Sequence, residues 1–184
     1  MSNLIVVLMG GLSGERKISF LTGEACSVAL KKKGYKVINL DAKGYFVEEL
    51  KKLKPKIVFN ALHGRYGEDG FVQSILESLK IPYTHSGVLS SSLAMDKELS
   101  RLIFIKNNIK VPKYFLWQRD YEGNLNKKIN NKKIKFPLVI KPVSEGSSLG
   151  VSICKTKKQF TSKYKKLMEK YDRILVEEYI PGRE

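Results

Sequence analysis

LIVVLMGGLSGER, residues 4–16, is the stretch from which the fold can be read. Six consecutive apolar residues without polar alternation suit a parallel strand buried on both faces, and Gly10-Gly11 directly after them marks a tight turn. The same grammar continues outward. Leu21, Ala25, Val28 and Ala29 recur at helical spacing within residues 19–33, and Gly34 ends that helix. Residues 35–40 (YKVINL) alternate as a second strand, and residues 48–53 form a short helix closed by Pro55. Residues 56–62 (KIVFNAL) form a third strand, 63–70 (HGRYGEDG) a second glycine-rich loop, and 71–79 a helix. Strand–helix alternation predicts an α/β fold with a doubly wound parallel sheet.

The pattern then changes. Residues 96–107 read as a helix, 114–117 as a strand, and 124–135 as a polar loop or exposed helix. A strand at 136–141 (FPLVIK) leads into a small-residue loop at 145–150 (EGSSLG) and a strand at 151–154. A lysine-rich amphipathic helix at 160–171 and a last strand at 173–179 follow. The shift near residues 94–96 predicts a boundary between a domain at 1–95 and a strand-rich α+β unit at 96–184. No internal repeat is present.

A chain of 184 residues with 42% hydrophobic and 28% charged residues has the profile of a globular protein, not a disordered one. Its apolar runs are too short to span a bilayer, and no secretory pattern opens it. Cys26 and Cys154 make neither a disulfide framework nor a metal motif, so a reducing cytoplasm is the expected home. The net charge of +16 invites a nucleic-acid reading. Only 6 of the 34 basic residues are arginine, however, and arginine carries bidentate base and phosphate recognition. A solvated lysine-rich exterior is therefore expected instead.

Four side chains stand out within this frame. The loop at 10–16 is neither G-x-G-x-x-G nor a G-K-[ST] phosphate loop, and by itself serves equally well as a structural turn. It nevertheless sets Glu15 at the carboxyl end of a strand, where open α/β sheets bind ligands. His63 follows the third strand at the same rim and suits either a ligand contact or an internal hydrogen bond, while Glu68 and Asp69 would cap the next helix. Lys141 ends an apolar strand just before Pro142 and the 145–150 loop. A lysine point charge beside backbone donors and the hydroxyls of Ser147 and Ser148 makes a polyphosphate site, although a hairpin with a small-residue turn has the same pattern. Lys97 is a second candidate of this kind.

Five segments then appear in order: GGLSGERKIS at 10–19, NALHGRYGEDG at 60–70, PYTHSGVLSSSLAMDK at 82–97, KPVSEGSSLG at 141–150 and VEEYIPGRE at 176–184. Together they resemble the D-alanine–D-alanine ligases of the ATP-grasp superfamily, along the whole chain. The resemblance implies an N-terminal substrate-binding α/β domain at 1–95 and the first ATP-grasp lobe at 96–184. It also implies ATP as a substrate and a dipeptide made through a D-alanyl phosphate, for peptidoglycan precursor synthesis in the cytoplasm. Glu15 would hold the ammonium of the first D-alanine, with His63 nearby. Ser147 would join a network linking Glu15 to a lid loop. Lys97 and Lys141 would bind ATP phosphates under a flap containing Glu145, Gly146, Ser147 and Ser148. Glu177, Glu178 and Ile180 would read the adenine through backbone groups, and Glu184 would receive the ribose hydroxyls.

His85 departs from the small residue usual in the family beside Ser86-Gly87. The second lobe, with the lid loop and the acidic ligands for Mg2+ or Mn2+, has no counterpart in this sequence. The chain is thus expected to be truncated and inactive alone, and a homodimer when full length. A D-alanine–D-lactate ligase and a non-catalytic, ligand-binding short form are the alternatives. Neither nucleic acid nor membrane is an expected partner.

Overall fold

The structure, a computed structural model, describes residues 3–118 and 125–183, which divide into two compact units between Met95 and Asp96. In the first unit, β1 (Leu4–Met9) leads through α1 (Arg16–Lys32) to β2 (Lys36–Asp41), and α2 (Phe46–Leu53) leads to β3 (Ile57–Asn60). The strands are parallel in the order β2-β1-β3, with Leu4 opposite Lys36 and Ile5 opposite Ile57. The unbroken apolar run of β1 has a direct cause, because the strand is central and feeds a core on each face. Val6 and Leu8 pack with Leu50, Val58 and Leu76, whereas Val7 and Met9 pack with Ala61 and Phe20.

The helical spacing in residues 19–33 finds α1 but not its buried side. Ser19, Gly23 and Ser27 face inward, while Leu21, Ala25, Val28 and Ala29 are exposed. Close approach is the reason: a Cβ on Gly23 would lie 2.6 Å from Met9 Cε and 2.8 Å from Met9 Cβ. Even alanine there would overpack the sheet. After β3 come α3 (Phe71–Ser78) and α4 (Val88–Met95); α4 has no counterpart in the sequence reading.

The second unit contains α5 (Lys97–Lys106), β4 (Tyr114–Gln118), α6 (Leu125–Lys132), β5 (Leu138–Pro142), β6 (Ser152–Cys154), α7 (Lys157–Met168) and β7 (Arg173–Glu178). The four strands are antiparallel in the order β4-β7-β5-β6. One face is apolar: Phe115, Trp117, Leu138, Ile140, Ile174 and Val176 pack beneath Phe160 and Leu167 of α7. Alternation in β5 turns Val139 and Lys141 to the opposite face, and Glu177 pairs with Val139 there. Lys141 and Glu177 are therefore diagonal neighbours on the face away from the core. Asp96 caps α5 by accepting from the amides of Glu98 (2.9 Å) and Leu99 (3.0 Å), and its second oxygen accepts from Arg173 at 3.0 Å. Capping and ion pair together fix where α5 starts, and hence where Lys97 stands.

Candidate functional site

Strand order reverses around β1, so the loops after β1 and β3 flank the crevice at the carboxyl ends of the sheet. Side chains stitch the two loops together. Ser13 Oγ donates to the His63 carbonyl at 2.7 Å, and Ser19 Oγ donates to the Ala61 carbonyl at 2.7 Å. The Glu15 carboxylate lies over Gly64, where a Cβ would stand 2.5 Å from Glu15 Oε2; Gly64 also has φ +67°. The backbone conformation thus calls for glycine, and a side chain there would displace the Glu15 carboxylate. The half-buried His63 sets Nε2 3.0 Å from Thr22 Oγ1. A cavity of about 360 Å³ opens at this rim, lined by Gly10, Gly11, Leu62, His63, Tyr66 and Phe71 among others.

Arg16 and Asp41, neither singled out from the sequence, hold the first loop. Arg16 Nη1 donates to Asp41 Oδ1 and to the Gly11 carbonyl, both at 2.8 Å, and Gly11 N–H donates to Asp41 Oδ1 at 3.1 Å. The Arg16 guanidinium, helped by the Lys43 and Gly11 amides, holds the Asp41 carboxyl at about 2, below its ordinary 3.8. A depressed carboxylate stabilises the fold above its unfolded pKa and loses that contribution as pH falls through the folded value. This part of the stability should therefore be intact above about pH 4 and disappear between there and about pH 2. Urea titrations of Asp41→Asn check it: the variant should be less stable than wild type at pH 6, with the gap closing on acidification. The pair is about one-third exposed, so a gap of about 1 kcal/mol at most is expected. The sequence signal was a carboxylate at the end of the second strand, beside the glycine turn.

In the second unit the cations converge. Glu177 is buried, and its two oxygens take different partners: Oε2 accepts from Arg101 Nη2, and Oε1 is paired with Lys141 Nζ. Lys97 Nζ donates to the carbonyl of Glu145 at the start of the 145–150 loop and lies 3.5 Å from that of Val143. Burial lowers the Lys97 pKa from its ordinary value, as do the Lys141 and Arg101 charges, against the pull of Glu145 and Asp96. Lys97 is thus repelled by Lys141 and Arg101, while Glu177 pairs with the latter two, and an anion beside Lys97 and Lys141 would relieve that repulsion. Arg101 was not singled out from the sequence, although it stands four residues after Lys97 and so shares its helix face.

The remaining sequence candidates are spread more widely. Ser147 (φ +52°) and Ser148 are exposed on the loop, Gly146 is half-buried, and Gly150 closes against Pro142. The Glu178 amide donates to the Lys113 carbonyl, and its carboxylate accepts from the Lys113 amide at 2.9 Å. Ile180 lies past β7 and is exposed, and Glu184 is outside the described residues. Among the described residues, no three His, Cys, Asp or Glu side chains gather as a metal site. These residues by themselves therefore do not fit the Mg2+ or Mn2+ that the resemblance implies. No described helix is long and apolar enough to cross a membrane.

A parallel sheet with a cavity at its rim, followed by an antiparallel lobe with a cation cluster beside a small-residue loop, defines an ATP-grasp type of α/β protein. The family model for the D-ala D-ala ligase N-terminus matches residues 45–86, and the one for the D-ala D-ala ligase C-terminus matches residues 103–184. The D-alanine–D-alanine ligase of Pelagibacter ubique is 49% identical over 185 residues, covering 100% of this chain and 60% of that protein. The D-alanine–D-alanine ligase of Bartonella henselae is 44% identical over 182 residues, covering 98% and 58% respectively. Among solved structures, the D-alanine–D-alanine ligase of Bacillus anthracis complexed with ATP superposes with a TM-score of 0.85 at 35% identity, covering 97% of this chain and 59% of that one. The chain belongs to the D-ala D-ala ligase family. It spans about 60% of the length of the curated relatives it matches.

Proposed function

We propose that this chain carries the amino-acid-binding domain and the first nucleotide lobe of an ATP-dependent ligase that joins two D-alanines. The observation that carries the reading is the convergence of Lys97 and Lys141 beside the 145–150 loop, with the buried Glu177 already paired to Arg101 as well as to Lys141. Two mutually repelling lysines suit a nucleotide's phosphates, whose negative charge phosphoryl transfer must keep neutralised. Lys97 and Lys141 bind those phosphates, and the loop containing Glu145, Gly146, Ser147 and Ser148 covers them. Ile180, Glu178 and Glu177 lie along the adenine edge, and Glu184 takes the ribose.

At the sheet rim, Glu15 holds the ammonium of the first D-alanine, with His63 beside it. This anchors the amino acid so that its carboxylate oxygen can attack the γ-phosphorus, giving D-alanyl phosphate and ADP. The amine of a second D-alanine attacks the acyl carbon, and the tetrahedral intermediate collapses by expelling phosphate and forming the peptide bond. Carboxylates for a divalent ion would come from the region that the relatives carry outside the matched span. The product would feed the assembly of the peptidoglycan precursor in the cytoplasm, with a homodimer as the working form. The D-lactate alternative is not favoured, because the relatives reported above are D-alanine–D-alanine ligases.

A chimera tests the proposal. Residues 1–184 replace the matching part of the Pelagibacter ubique ligase, and ATP, Mg2+ and D-alanine are supplied. The expected result is one ADP and one phosphate per D-alanyl-D-alanine, with no dipeptide from residues 1–184 alone. A folded chimera that hydrolyses no ATP in the presence of D-alanine would sink the reading.

A further inference from the structure

Arg101 is spent on the protein rather than held open for a ligand. Its side chain is 12% exposed, Nη1 donates to the Lys97 carbonyl at 3.0 Å, and Nη2 donates to Glu177. The guanidinium carbon stands 5.5 Å from the centre of the Tyr114 ring. Glu177 in turn divides its two oxygens between Arg101 on α5 and Lys141 on β5. A carboxylate that is only 7% exposed must be neutralised from within, and here two cations share that task. With Arg101 present, Lys141 need not give its whole charge to Glu177. Without Arg101, the Lys141 ammonium is the only ion-pair partner left to the buried carboxylate among the described residues.

We propose that Arg101 is a positioning residue for nucleotide binding: by neutralising Glu177 it releases the charge of Lys141 toward the phosphates. The inference rests on the reading of this lobe as a nucleotide site. Arg101 itself touches neither the reacting atoms nor the phosphates and acts only through Glu177. Substitution at Arg101 should therefore weaken ATP binding and leave the amino-acid subsites alone. The damage should be repaired by removing the charge it was there to balance.

ATP affinity is measured by titration on the full chain, and KM and kcat are measured in the ligase chimera. Arg101→Met should weaken ATP binding and raise the ATP KM about tenfold, with the D-alanine KM changed less than about twofold. Arg101→Lys, which keeps the charge, should stay within about threefold of wild type. The double variant Arg101→Met/Glu177→Gln should recover most of the lost affinity, because the isosteric amide no longer captures Lys141. A role through Arg101's own packing, against the Tyr114 ring and the Lys97 carbonyl, predicts the reverse, a double variant no better than the single. That result overturns the inference, as does an unchanged ATP KM in Arg101→Met. Lys141→Ala separates the two levels. If it weakens ATP while Arg101→Met does not, the inference alone falls. If Lys141→Ala leaves ATP binding untouched, the nucleotide reading falls and takes the inference with it.

Discussion

Replacing Lys141 by alanine in the ligase chimera should lower kcat/KM for ATP about 1,000-fold, the scale found when a charge-stabilising group is removed from a transferring centre. The geometry gives this variant an interpretable outcome. Glu177 keeps its Arg101 partner when Lys141 is lost, so the buried carboxylate is not orphaned and the lobe should still fold. Lys141 also sits on the sheet face opposite the apolar core formed by Leu138, Ile140 and Val176. Thermal unfolding should therefore shift by only a few degrees while steady-state kinetics collapse. A collapse in thermal stability with normal kinetics in the surviving enzyme would make Lys141 a packing residue and nothing more.

Glu15→Gln is the second large effect. The substitution keeps the shape over Gly64 and removes only the charge, so the stitched loops at residues 10–16 and 61–70 should be undisturbed. An ammonium–carboxylate contact is worth up to ~3 kcal/mol, and its loss should lower kcat/KM for D-alanine about 100-fold. The ATP KM should not move, because the cation cluster belongs to the other unit. An equal loss for ATP and D-alanine would mean that Glu15 supports the rim in general and does not bind the first amino acid.

The two units differ in how much of them the sequence disclosed. The α/β layer was legible because β1 is central and buried on both faces, a demand that only an unbroken apolar run such as residues 4–9 satisfies. The buried side of α1 was hidden, since close approach to Met9 calls for Ser19, Gly23 and Ser27, which carry no hydrophobic signal. The α4 helix was missed for a related reason: residues 88–95 include three consecutive serines, which favour caps and turns over helix interiors. At the candidate site, Glu15 and His63 could be placed at one rim because each lies in the loop that follows a strand. Arg16, Asp41 and Arg101 were not singled out because their partners are distant in sequence: 25 residues separate Arg16 from Asp41, and 76 separate Arg101 from Glu177. Only the register of β5 against β7 brings Lys141 and Glu177 together.

The central claim is that ATP is spent on activating the carboxylate of D-alanine, and oxygen labelling tests this most directly. D-alanine carrying 18O in both carboxylate oxygens is turned over by the chimera with unlabelled ATP, and the released phosphate is weighed by mass spectrometry. Attack of the carboxylate on the γ-phosphorus, followed by expulsion of that phosphate from the acyl carbon, transfers one 18O to each phosphate released. Phosphate released with no label, alongside dipeptide, would mean that peptide formation does not pass through D-alanyl phosphate, and the account would be wrong at its core.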